Sequence, residues 1–386
     1  MSGGYTVTDR APVPADGALY RDPRDGAAVA LLPTPTASNH APCLAPTSDG
    51  GLLAVWFGGS DEGNADIGIV QARLDPATGR WGDERRVTED PVRAEQNPSL
   101  FRHPDGALWL VYTSMVARNT GVEETFNLQH TSVVRRRVSH DDGRTWSDPE
   151  EWFTRPGTFC RQPVQVLASG RWVFPQWLCF DDDTKNGSDV TVLQLSDDAG
   201  ASWREVAVPG SRGRVHANVV ELGPGELVAL FRSRSADRIY LSRSTDDGDT
   251  WTEPEPTALP NNNAGLSAVR LPSGRLAVAY NAQSFNDVGG PVFWPFERSQ
   301  VTVAVSDDGG RTWPVRRVVE PGDGFTGTGN LRSNHRYEYP YLMVEGETLH
   351  LVYSYFSRET MKHVVFTEAW IDGTAQVLDG DCKLWT

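Results

Sequence analysis

A chain of 386 residues, 39% hydrophobic and 10% aromatic, has the material for a sizeable core, so wholesale disorder is excluded. Its net charge of −15 leaves no basic stripe for a phosphate backbone, and nucleic acid is not an expected partner. An acidic surface offers an anionic ligand no general attraction, so local arginines would have to hold any acidic substrate.

The opening MSGGYTVTDRAPVPADG has no basic segment followed by an apolar run, and no apolar stretch approaches 20 residues. The expectation is a cytoplasmic protein with no membrane partner. Four cysteines, Cys43, Cys160, Cys179 and Cys382, lack metal-type spacing and read as free buried thiols, with a Cys160–Cys179 bridge as the alternative. No Walker loop, HExxH or GxSxG is present, so neither a cofactor nor a metal is expected.

In chain order, 18–32 (ALYRDPRDGAAVALL) reads as a strand with no hairpin partner of its own. Six similar hairpins follow, each a short strand, a Gly-containing turn and an apolar strand: APCLAPTSDGGLLAVWF (41–57), NPSLFRHPDGALWLVY (97–112), QPVQVLASGRWVFPQW (162–177), ANVVELGPGELVALF (217–231), AGLSAVRLPSGRLAVAY (264–280) and YPYLMVEGETLHLVY (339–353). Between hairpins the chain repeats S-x-D-x-G-x-[TS]-W: SHDDGRTW (139–146), SDDAGASW (196–203), STDDGDTW (244–251) and SDDGGRTW (306–313), with a degenerate DPATGRW at 75–81. Each full box follows an alternating, strand-like run, and its Asp and Gly are tight-turn chemistry.

The spacing predicts one all-β domain over 1–386, a six-bladed β-propeller with blades at about 38–82, 96–148, 160–205, 215–253, 262–315 and 336–378. Segment 18–32 would lend an outer strand to the last blade and close the ring, removing exposed edges. The insertion GVEETFNLQH (121–130) suits either a cap over the funnel or a contact with a second subunit, so a homo-oligomer stays open.

Inner strands of a propeller line a central funnel. The residues that open them are Asn39-His40, Gln96-Asn97, Arg161-Gln162, His216 with Asn218, Asn261 to Asn263, and Tyr337 with Tyr339. A polar group at the same phase of every repeat suits a hydroxyl-rich carbohydrate; the alternative is that these groups satisfy one another and channel water. The Gly-rich loop FGGSDEGNADIGIV (57–70) offers Asp61, Glu62 and Asp66 as proton donors. Arg232 and Arg234 in FRSRSADR and Arg298 in ERSQVTVAVS are suited to clamp a carboxylate, and Arg336 stands just ahead of the last inner strand.

The boxes on six blades resemble the Asp-box, or BNR-repeat, sialidase superfamily, from about residue 38 to 355. The resemblance implies that the boxes are peripheral turns and that chemistry lies elsewhere. It implies Tyr339, in YPYL, as nucleophile and Arg298, in RSQVTVAVS, as one of three carboxylate-binding arginines. A second arginine falls among Arg232, Arg234 and Arg238, and the acid falls on Asp61 or Glu62. Two positions depart from the family: His40-Ala-Pro42 stands where an R-I-P arginine belongs, and His216 stands where a Glu activates the tyrosine.

The expected function is an exo-acting glycoside hydrolase of sialidase-like type that removes a terminal sugar. Tyr339, His216 and Asp61 or Glu62 would be catalytic, and His40, Asn97, Arg161, Gln162, Arg232, Arg234, Arg298 and Arg336 would bind substrate. Two other readings compete: a uronate-directed polysaccharide lyase working through Tyr339 and His216, and a non-catalytic sugar-binding propeller.

Overall fold

The structure, a computed structural model, describes residues 8–9, 13–22, 25–118, 128–182, 187–284, 298–323 and 334–373. Cys382 and most of the 121–130 insertion lie outside these residues. The described chain is strand throughout, apart from a 3-10 turn at Gln129–Thr131 and a short helix at Glu368–Asp372. Its six sheets follow one another along the sequence, and the fold is the expected all-β six-bladed β-propeller.

Blade 1 contains Ser38–Pro46, Leu52–Gly59, Gly68–Asp75 and Arg80–Arg86. Blade 2 contains Arg93–Arg102, Leu108–Val116, Val133–Ser139 and Glu150–Phe153. Blade 3 is built on Trp172–Leu178, Val190–Ser196 and Arg204–Ala207. Blade 4 runs Arg214–Gly223, Glu226–Ser233, Arg238–Ser244 and Glu255–Pro260, and blade 5 runs Ser267–Arg270, Leu276–Asn281, Val301–Ser306 and Val315–Glu320. Blade 6 has Glu338–Glu345, Thr348–Tyr355, Thr360–Thr367 and Ala28–Leu32. The chain forms two compact units, one with blades 1 and 2 and residues Met343–Trp370, the other with Arg161–Leu342.

Strands in the middle of a blade are buried on both faces, as at Leu52–Gly59 and Val301–Ser306, so their sequences read as apolar runs. Outer strands such as Arg204–Ala207 face water and are polar. In the second unit one core joins Val173 and Leu195 of blade 3 to Val219, Leu227 and Phe231 of blade 4. A second joins Leu230 and Leu241 to Leu276, Val278 and Tyr280 of blade 5. In the first unit Ala28–Leu32 pairs antiparallel with Thr360–Thr367, Leu32 opposite Met361 and Ala28 opposite Val365, so a strand from early in the chain joins blade 6, and Tyr20–Arg21 and then Thr8–Asp9 extend that sheet beyond it.

All four boxes are the same turn. The Ser hydroxyl donates to the Asp (Ser139–Asp141, Ser196–Asp198 and Ser306–Asp308 at 2.8 Å, Ser244–Asp246 at 2.7 Å) and accepts the amide of the Gly. The Asp then accepts the amide and hydroxyl of the Thr or Ser before the Trp, as Thr145 does at 2.8 and 2.6 Å. Burial raises the Asp141 carboxyl, but these donors outweigh it and hold the pKa at about 2. The Gly is left-handed and its bare α-carbon is closely packed, against the preceding blade in three boxes and against Trp172 of its own blade at Gly200: at Gly310, φ +88°, a Cβ would fall 2.6 Å from Cδ1 of Leu241. The Trp inserts into the same seam, Trp251 into the core of blades 3 and 4 and Trp313 into that of blades 4 and 5. The box is therefore an inter-blade staple.

A buried polar relay crosses the first unit. Trp81 Nε1, which can only donate, lies 3.2 Å from His363 Nδ1; His363 Nε2 lies 3.0 Å from His350 Nδ1; and His350 Nε2 lies 3.4 Å from Glu345. This order fixes both tautomers, with the proton on Nε2 of each ring. Burial first, then the neighbouring His350, puts the His363 pKa well below 6.5.

Two outcomes are expected. Gly310→Ala must strain the backbone and displace Leu241, and should cost about 1–3 kcal/mol in urea denaturation; an unchanged midpoint would remove the staple argument. His363 takes up a proton on unfolding, so its contribution is complete above pH about 6.5 and is lost as pH falls below it, at about 1.4 kcal/mol per pH unit. Denaturation midpoints measured from pH 8 to 5 should show this decline, and His363→Gln should make it shallower by that share.

Candidate active site

The inner strands open on a common dipeptide: Ala41-Pro42, Asn97-Pro98, Gln162-Pro163, His216-Ala217, Asn263-Ala264 and Tyr339-Pro340. Ala41, Asn97, His216, Asn263 and Tyr339 are all left-handed, with φ of 51° to 57°. That conformation costs an L-residue about 1 kcal/mol or more, and a following proline disfavours helical conformations further. In blades 1, 2 and 4 the strand pairing slips at this point, between His40 and Cys43, Gln96 and Ser99, and Val215 and Asn218. Each is a bulge that turns one side chain out of the sheet's alternation. The strain recurs at one phase of the repeat, where the chain presents its polar residues.

In the second unit the left-handed residues His216, Asn263 and Tyr339 come together around Arg232. Arg232 stands in Glu226–Ser233 opposite Val215, directly beside the His216 bulge. It donates through Nη1 to the hydroxyl of Tyr339 and to Nε2 of His216 at 3.2 Å, and through Nε to Oδ1 of Asn263 at 2.6 Å. Arg298 lies 5.5 Å from the centroid of the Tyr339 ring and donates to Glu338 Oε1 and to the Asn263 carbonyl, both at 2.7 Å. His216 stacks on Trp177 at 4.2 Å and meets the Tyr339 ring edge-on at 5.6 Å.

The charge state follows from these contacts. A guanidinium only donates, so His216 accepts at Nε2 and carries its proton on Nδ1. Burial first, then Arg232, Arg234, Arg161 and Arg298, hold the His216 pKa well below 6.5. Among the described residues no hydrogen-bond partner of Arg232 is a carboxylate; burial lowers it to about 9, with Tyr339 opposing. Arg234 instead pairs with buried Asp189 at 2.6 Å, and burial pushes that carboxyl up against the pull of the arginine. Arg161 is buried 5.9 Å from the Tyr341 ring centroid, and Gln162 donates to the Leu266 carbonyl at 3.1 Å. Arg336 is more open, 3.9 Å from Glu338.

The other sequence candidates belong to the first unit. His40 is buried, with Nδ1 2.8 Å from Ser354 Oγ and its ring edge-on to Phe57 at 5.3 Å. Asn97 is buried at its bulge. Asp61 is exposed and paired with Arg118, and Glu62 pairs with Arg358 at 2.7 Å.

A family model described as BNR repeat-like domain matches residues 50–351. The chain belongs to this family. It is a divergent, sialidase-like member: a sialidase of Micromonospora viridifaciens is 26% identical over 73% of this chain and 46% of its own length, and one of Bacteroides fragilis (strain YCH46) is 23% identical over 62% and 42%. The chain thus spans about half the length of the curated relatives it matches. A Hadza microbial sialidase, Hz136, superposes with a TM-score of 0.67 at 18% identity, covering 86% of this chain and 66% of that one, a likeness of fold.

Sequence reasoning missed four residues of this BNR-repeat site. Glu338, the acid between Arg298 and Arg336, stood in plain view immediately before Tyr339. Gly265, Trp177 and Asp189 gave no local signal, because their roles depend on chain segments far away in sequence. The three thiols described, Cys43, Cys160 and Cys179, are free and buried, so the alternative Cys160–Cys179 bridge is not formed.

Glu338 neutralises a buried guanidinium. Glu338→Ala should therefore destabilise the protein by about 3–5 kcal/mol, whereas the double change with Arg298→Met should recover part of that loss. Additive losses in urea denaturation would show that the pair is not coupled.

Proposed function

We propose that this protein is an exo-acting glycoside hydrolase of sialidase-like type that cleaves a terminal acidic sugar through a covalent intermediate on Tyr339. The observation that carries this reading is Arg232: a buried guanidinium whose hydrogen bond rests on the Tyr339 oxygen. A donor fixed there supports negative charge on the phenolic oxygen as it turns nucleophilic. Arg232, Arg234 and Arg298 are buried cations; Asp189 answers Arg234 and Glu338 answers Arg298, while the described hydrogen-bond partners of Arg232 include no carboxylate. That arrangement favours a ligand bearing a carboxylate.

In this reading the Tyr339 oxygen attacks the anomeric carbon as the bond to the leaving oxygen breaks; its phenolic proton passes to His216, the sequence candidate for its base partner, and a general acid protonates the leaving oxygen. Water then attacks the same carbon, the tyrosyl bond breaks, the phenolic oxygen regains its proton from His216, and the conjugate base of the general acid takes the water's proton. Asp61 and Glu62 are the sequence candidates for the acid, and they pair with Arg118 and Arg358. His216 is neutral and holds Arg232 through Nε2, which makes its first task the orientation of that guanidinium. A neutral histidine beside the tyrosine also suits proton abstraction next to a uronate carboxylate, the lyase alternative.

Mass spectrometry of products from a panel of acidic and neutral terminal oligosaccharides, sialyllactose included, distinguishes the two. Release of an intact terminal sugar is expected, reduced at least roughly 10³-fold in Tyr339→Phe. Wild-type turnover by that variant would remove the nucleophile. A product lighter by one water, with new ultraviolet absorbance, would mark a lyase.

A further inference from the structure

Residues 261–265, Asn-Asn-Asn-Ala-Gly, precede the inner strand of blade 5 and reach the groups that surround Tyr339. Asn263 Oδ1 accepts Nε of Arg232 at 2.6 Å, and its carbonyl accepts Nη2 of Arg298 at 2.7 Å. Asn261 Oδ1 accepts the amides of Ser233, next to Arg232, and of Asn263, each at 3.1 Å; its Nδ2 donates to the Ala264 carbonyl at 3.0 Å. The last residue of the run lies under the tyrosine ring. A Cβ on Gly265 would sit 3.0 Å from Cγ and 3.2 Å from Cδ1 and Cδ2 of Tyr339. Gly265 is not left-handed, so it is space rather than backbone conformation that resists a side chain there: the Tyr339 ring would have to give way by a few tenths of an ångström.

We propose that segment 261–265 is the positioning element of this site, with Asn263 setting the two guanidinium groups and Gly265 setting the depth of the Tyr339 ring. It takes Tyr339 as the reactive group and so rests on the functional reading above. Asn263 fixes one arginine through its side chain and the other through its backbone, so its left-handed turn, φ +57°, spaces the two cations. An asparagine tolerates that turn better than most residues and supplies the acceptor. Gly265 lets the root of the ring rest on bare backbone while Arg232 holds its hydroxyl end. One short loop thereby sets both ends of the reacting geometry, where errors of a fraction of an ångström matter.

The test uses the full chain labelled with 3-fluorotyrosine, followed by fluorine NMR. There are 10 tyrosines, and the resonance absent from Tyr339→Phe belongs to Tyr339. Gly265→Ala should move that resonance and leave the others in place. Asn263→Gly keeps the left-handed backbone but loses the acceptor, and should move it too. Asn263→Asp keeps an acceptor oxygen and should return it towards wild type. In turnover, Gly265→Ala should lower kcat roughly tenfold with little change in KM. A Tyr339 resonance unmoved by both Gly265→Ala and Asn263→Gly, or shifts spread over all the tyrosines, would overturn the proposal. Should Gly265→Ala not fold, the Asn263→Gly and Asn263→Asp pair decides by itself. Wild-type turnover by Tyr339→Phe would sink the hydrolase reading, while the fluorine shifts still decide the positioning.

Discussion

The second unit is organised around one buried cation. Among the described residues Arg232 has three hydrogen-bond partners, the hydroxyl of Tyr339, a ring nitrogen of His216 and the amide oxygen of Asn263, none of them a carboxylate. Burial disfavours its charge, and those three acceptors, from three different blades, must stay in place to hold it. The same contacts fix the histidine tautomer, leave His216 neutral and aim the tyrosine. Arg234 and Arg298, each with a buried carboxylate, show what ordinary compensation looks like in this fold. Arg232 is the exception: its charge is held by neutral acceptors alone among its described partners.

That cost is tolerable because the scaffold is stiff elsewhere. Each box locks its own turn through a Ser, an Asp and a Thr or Ser, and the boxes of blades 4 and 5 press their Gly and Trp into the seam with the blade before. The inner ends of the blades also carry a left-handed non-glycine residue, repeated in five blades, at the position where side chains are presented. Tyr339, His216 and Asn263 are three of those left-handed residues, which explains how repeats with no shared side chain at this phase contribute to one cluster.

Much of this was legible beforehand. Period-2 runs and Gly-containing turns repeat often enough that six blades could be counted, and S-x-D-x-G-x-[TS]-W is a local turn whose bonds are all made within eight residues. The polar positions opening the inner strands were visible as a phase of the repeat. Partner choice was not visible. Nothing local says that Arg232 rather than Arg234 meets the tyrosine: they lie two residues apart, yet one faces His216 and Asn263 while the other is taken by Asp189, 45 residues upstream.

The sequence by itself therefore determined the fold class, the blade count, the box turns and the residue types that gather at the inner strands, because hydrophobic period and turn chemistry act over a few neighbours. Only the tertiary structure decided which arginine is spent on a carboxylate and which on the tyrosine, which nitrogen of His216 carries a proton, and why residue 265 has no side chain. Those outcomes depend on distances between strands far apart in sequence, set by bulges whose side-chain directions no local pattern encodes.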